Sequence, residues 1–91
     1  MVDPFRAWTT DINSLSDLGE GTVYFEFDGQ WATRQVEVYG DRWLCSSKDY
    51  PPGVGPGLCD QPLSELDLHK EHEIFKVEFE HVWREGQRRC R

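Results

Sequence analysis

An α+β domain is the fold class this 91-residue chain predicts: an antiparallel β-meander of three to four strands packed on a C-terminal helix. Three observations predict it. Two runs that alternate apolar and polar side chains flank an Asp28-Gly29 pair. A second turn signal, Gly40-Asp41, leads straight into a third such run. Near the C-terminus the apolar residues change to the helical spacing of three and four. Ninety-one residues make one domain, which divides into an N-terminal arm or short helix (1–21), a meander (22–47), a Pro/Gly loop (48–62), a helical part (63–86) and a tail (87–91).

Residues 1–21 carry Phe5, Trp8, Ile12, Leu15 and Leu18 at intervals of three and four, and Pro4 suits a first helical turn. This predicts a short helix over about residues 5–18. The alternative is an arm laying its aromatic residues on the sheet. Residues 22–28 and 32–39 are rich in β-formers and predict the first hairpin. With 28–31 as the turn, Phe27 faces Ala32, Phe25 faces Arg34 and Val23 faces Val36. One face then holds Val23, Phe25, Phe27, Ala32, Val36 and Val38. The other holds Tyr24, Glu26, Thr33, Gln35, Glu37 and Tyr39. Across the second turn, Trp43 faces Val38 and Cys45 faces Val36, which makes Cys45 a core residue.

Residues 48–62 hold four of the five prolines, so no regular element fits there. The segment matches neither a dinucleotide fingerprint nor a phosphate loop. Its anchors are Tyr50, Val54 and Leu58. Residues 62–67 suggest a helical turn, and 74–85 the main helix, stopped by Gly86. Phe75, Phe79, Val82 and Trp83 form its inner stripe, while Lys76, Glu80 and Arg84 stand on the outer face.

Ten basic and seventeen acidic residues leave a net charge of −7, opposite to that of a nonspecific nucleic-acid binder. The acid is concentrated in residues 60–85, ahead of three arginines in 86–91. No run is long enough for a membrane span, and the first residues lack the basic and apolar regions of a secretory signal. Three cysteines without a CxxC pair predict free thiols and a cytoplasmic setting, with a Cys45–Cys59 bridge as the alternative.

No nucleophile motif or metal-ligand spacing assembles, which predicts a protein that is not an enzyme and needs no cofactor. The expectation is a small acidic binding domain that neutralises or regulates a basic protein partner, as immunity or antitoxin proteins do. Candidate contact residues are Asp67, Glu71, Glu73, Glu78 and Glu80, with Tyr50 and Val54 as a competing loop site. The alternative is a small-molecule or metal-binding domain, using Arg34 as an anion reader with the 48–62 loop, or His69 and His72 beside Glu71 and Glu73. A homo-oligomer is open.

The runs Tyr24-Phe-Glu-Phe-Asp28, Arg34-Gln-Val-Glu-Val-Tyr-Gly-Asp41, Leu63-Ser-Glu-Leu66 and Glu73-Ile-Phe-Lys-Val-Glu-Phe-Glu-His-Val-Trp83 resemble a family of small bacterial domains of unknown function. The resemblance covers about residues 22–85 and rests on a pattern of the type Y-x-E-x-D, R-x-V-E-V-F and E-F-E-x-x-W. It departs at Phe75, where the family has a helix-capping Ser, and at Cys59 and the Pro-Pro segment. It implies this fold and a bacterial, cytoplasmic origin, and the family has no established activity to carry over.

Overall fold

The computed structural model describes residues 5–13, 19–47, 58–59, 61–66 and 68–90. Its centre is a five-stranded antiparallel sheet made of β1 (Phe5–Asn13), β2 (Glu20–Asp28), β3 (Trp31–Tyr39), β4 (Arg42–Ser47) and the two-residue β5 (Glu73–Ile74). The spatial order is β4-β3-β2-β1-β5. The long helix α1 (Lys76–Arg89) crosses one face, and Leu63, Leu66 and Leu68 cover the other. The α+β class and the packing of an antiparallel sheet on a C-terminal helix are therefore as expected, with five strands instead of three or four.

The extra strands come from both ends of the chain. Residues 5–13 form β1, not the expected helix, and pair along their whole length with β2. Trp8 and Ile12 are four apart, which is one helical repeat and also an even strand spacing, so periodicity alone does not separate the two readings. Thr9 and Thr10, with Trp8 and Ile12, favour the strand. The ladder with β2 supplies the backbone hydrogen bonds a nine-residue strand needs. Ile74, expected in the helix, instead pairs with Ala7 in β5.

The 28–31 turn forms as expected. Gly29 takes its first central position at φ 63°, where a side chain other than glycine's is strained. Phe27 pairs with Ala32, and one residue later the ladder slips. Glu26 pairs with Arg34, leaving Thr33 as an extra residue in a β-bulge. The slip reverses the parity of the rest of β3 and of β4. Arg34, Val36 and Val38 therefore share a face with Tyr24 and Glu26, not with Val23 and Phe25. Gln35 and Glu37 move to the other side. The β3–β4 pairing itself, Trp43 with Val38 and Cys45 with Val36, is as expected.

The sheet therefore has two apolar faces. On one, Trp8, Val23, Phe25 and Phe27 form a buried cluster under Ile12, Ala32, Cys59, Leu63, Leu66 and Leu68. On the other, α1 lies over Val36 and Cys45 and buries Phe79 completely. Phe79 stacks on Trp83 with ring centres 6.4 Å apart. Phe75, placed by spacing on the same stripe, precedes the first helical residue and is 81% exposed. Gly86 does not stop the helix. It lies buried within it because a Cβ there would stand 2.7 Å from the Cys45 sulfur.

That close approach brings Cys90, at the C-terminal end of α1, to Cys45. The two are joined by a disulfide, their Cα atoms 6.2 Å apart. This corrects the expectation of free thiols at Cys45 and Cys90. The alternative Cys45–Cys59 bridge is also excluded by the layering. Cys45 faces the helix, whereas Cys59 packs on the opposite face and donates its backbone N–H to Gln35. Cys59 is the free thiol.

Candidate functional site

Where β2 and β3 meet α1, the bulge builds a charged centre. Doubling Thr33 and Arg34 against one residue of β2 aims both side chains at the Glu26 carboxylate. Arg34 donates Nε–H to Oε1 at 2.8 Å and Nη2–H to Oε2 at 2.6 Å, and the Thr33 hydroxyl donates to Oε1 at 2.7 Å. From α1, Glu80 accepts from Nη2 and, at 3.3 Å, from Nη1. The guanidinium also lies within 5.2 Å of the Phe79 and Trp83 ring centres. Burial works against the Glu26 carboxylate, but the bonds from Arg34 and Thr33 outweigh it and hold its carboxyl below the ordinary value. Its hydrogen bonds to Glu26 in turn push the Arg34 guanidinium up, against the effect of burial.

Four of the five N–H groups of Arg34 are thus given to carboxylates. The residue singled out as an anion reader is spent on bracing the helix to the sheet. Lys76 and Glu80, expected on the outer face of α1, both turn inward. The Lys76 ammonium is 3.9 Å from Glu26 and sits 4.7 Å from the centre of the Phe5 ring.

A second ion pair closes the β1–β5 edge. Arg6 donates two hydrogen bonds to Glu73, at 2.6 and 2.7 Å. Those bonds hold the Glu73 carboxyl below its ordinary value. His69 and His72 cap the short 3-10 turn Lys70–His72 reciprocally. The His69 side chain accepts from the His72 backbone, and His72 Nδ1 accepts the His69 N–H at 2.9 Å. Their spacing of three is therefore explained by the turn. Among the described residues, no three His, Cys, Asp or Glu side chains gather into a metal site, and no helix is long and apolar enough to cross a membrane.

The acidic candidates separate into two groups. Glu73 and Glu80 are engaged inside the molecule. Glu71 and Glu78 are exposed and have no ion-pair partner among the described residues. Asp67, Tyr50 and Val54 lie outside the described residues.

Glu78 borders a groove of about 470 Å3 shared with Lys70, Glu73, Ile74 and Phe75. Phe75 is 81% exposed, Val77 64% and Trp31 57%. All three stand at one end of the sheet. Phe5 is in register with Asp28 and Asp28 with Trp31, and Lys76 at the start of α1 covers Phe5. Periodicity assigned Phe75 to the core and left Val77 and Trp31 without a role. One signal for Val77 was available: two residues before Phe79 on a helix points about 200° away from the core, so it is an apolar residue on the solvent side.

No protein-family model, curated protein or solved structure matches this chain.

Proposed function

We propose that this is a non-enzymatic binding domain whose contact surface is the exposed end formed by Phe75, Val77 and Trp31 with Glu71 and Glu78. The partner is a protein with a basic, partly apolar surface, and the domain neutralises or regulates it in the manner of an immunity or antitoxin protein. The same proposal includes kinship with small bacterial domains of unknown function, whereas the cytoplasmic setting expected from free thiols loses its ground with the Cys45–Cys90 disulfide, a bond that persists in oxidising compartments. The observation that carries the reading is the 81% exposure of Phe75 directly beside Glu78. Large aromatic side chains held in water by a rigid element are the usual anchors of protein contacts. Carboxylates without internal partners steer a basic surface towards them.

The probe is a short amphipathic peptide of leucine and lysine, titrated by fluorescence anisotropy. Binding is expected to weaken at least about tenfold on Phe75→Ser or on joint reversal of Glu71→Lys and Glu78→Lys. It should also weaken with added salt, because exposed charges are screened over about 10 Å at 0.1 M. Melting temperatures should hardly move, since these side chains are exposed. Undiminished binding by both variants would reject this surface, and its loss on Tyr50→Ala would transfer it to the 48–62 loop.

A further inference from the structure

We infer that a second copy of this chain occupies that surface through the arginines on the second half of its α1, bound by antiparallel pairing of α1 with α1 about a two-fold axis at His81. The inference rests on the proposed binding surface and names its occupant.

The outward side of α1 carries Val77, Glu78, His81, Arg84 and Arg88, all exposed. Its chemistry changes sense along its length. The first half offers an apolar residue and an acid, the second half two arginines. Arg88 is already bonded to Glu85 at 3.1 Å, whereas Arg84 has no ion-pair partner among the described residues. Glu78 stands three residues before His81 and Arg84 three residues after it. A two-fold axis through His81 therefore sets Glu78 of each copy against Arg84 of the other, forming the same pair twice. The aliphatic stems of Arg84 and Arg88 then lie over Val77 and towards Phe75 of the second copy, covering apolar surface while the charges stay at the rim. Parallel packing would instead set Glu78 against Glu78 and Arg84 against Arg84, so charge selects the antiparallel arrangement. Opposed helix dipoles favour the same orientation. The inner side of α1 is held by Phe79, Arg34 and the Cys45–Cys90 bond, so the outer side is presented on a rigid frame.

The interface is one helix face, and the net charge of −7 opposes association, which places the dimer in the weak class. Sedimentation equilibrium of the full chain from about 5 to about 500 µM spans that class. The wild type is expected to dimerise within it. Glu78→Arg and Arg84→Glu should each remain monomeric over the same range, with circular dichroism unchanged. An equimolar mixture of the two variants should dimerise again, because the reversed charges then meet in complementary pairs on both sides of the axis. A wild type that stays monomeric overturns the inference, as does a dimer indifferent to either reversal or a mixture that fails to reassociate. The leucine–lysine peptide is titrated against the same samples. Peptide binding by a monomeric wild type rejects the second copy while leaving the proposed binding surface intact. Loss of both results rejects the surface itself.

Discussion

Arg34 is the residue on which α1 and the sheet converge. Removing it leaves the Glu26 carboxylate, which is 5% exposed, without its two strongest donors. Thr33 and Lys76 remain beside it, but a buried charge that has lost its main partner is more costly than the ion pair is favourable. Arg34→Ala should therefore lower the stability measured by urea unfolding by about 3–5 kcal/mol. Glu80→Gln should cost about 1 kcal/mol or less, because that side chain is 40% exposed and its ion pair is screened. Equal losses from the two substitutions would show that Glu26 does not depend on Arg34. The same residue shows how a single insertion changes chemistry. Without the slip, Thr33 would pair with Glu26, and Arg34 would stand opposite Phe25 on the other face, away from Glu26 and Glu80.

At the scale of elements, α1 is fastened at both ends by different means. Its start is tied by Lys76 and Glu80 to the charged centre, and its end by the Cys45–Cys90 disulfide. In the middle Phe79 is fully buried while Trp83 is only partly so, which makes Phe79 the apolar anchor of the helix. The disulfide joins positions 45 residues apart, a loop length at which a cross-link contributes about 2–4 kcal/mol. Thiol titration of the unfolded, unreduced protein should find one reactive group, Cys59, and three after reduction. Cys90→Ser should lower stability by about 2–4 kcal/mol and raise hydrogen exchange in the last turn of α1. Three thiols without reduction would restore the expectation of a fully reduced chain.

At the scale of the whole molecule, two carboxyls among the described residues, Glu26 and Glu73, ionise more readily folded than unfolded. A depressed folded value means that the unfolded chain binds protons first as the pH falls. Their contribution is therefore complete above the ordinary value of 4.5 and is lost as the pH drops through their folded values. Urea midpoints should be flat from about pH 7 to about pH 5 and fall steeply below about pH 4. In Glu26→Gln the fall should be shallower. An identical acid profile in that variant would remove Glu26 as a source of the pH dependence. The same internal pairing changes the meaning of the net charge. Part of the acidity that suggested a basic partner is consumed by Arg6, Arg34 and Lys76, and the outward-facing share is carried by residues such as Glu71 and Glu78.

What the sequence determined by itself is what depends on neighbours along the chain. The β2–β3 and β3–β4 turns were legible because Asp28-Gly29 and Gly40-Asp41 meet a local steric demand. The helix was legible because Phe79, Val82 and Trp83 repeat at its period. The tertiary structure decided what depends on residues far apart. Residues 5–13 become a strand because β2 offers a free edge along their whole length, a partner that no local pattern contains. The bulge at Thr33 forms in a ladder between two strands, where one extra residue exchanges the faces of all that follows. Cys45 finds Cys90 and not Cys59 because the sheet separates the latter pair, a fact of layering that spacing does not encode. For the same reason the candidate surface was only half legible. An acidic residue can be counted in a sequence, but whether it meets an arginine inside or faces water depends on which elements the fold lays side by side.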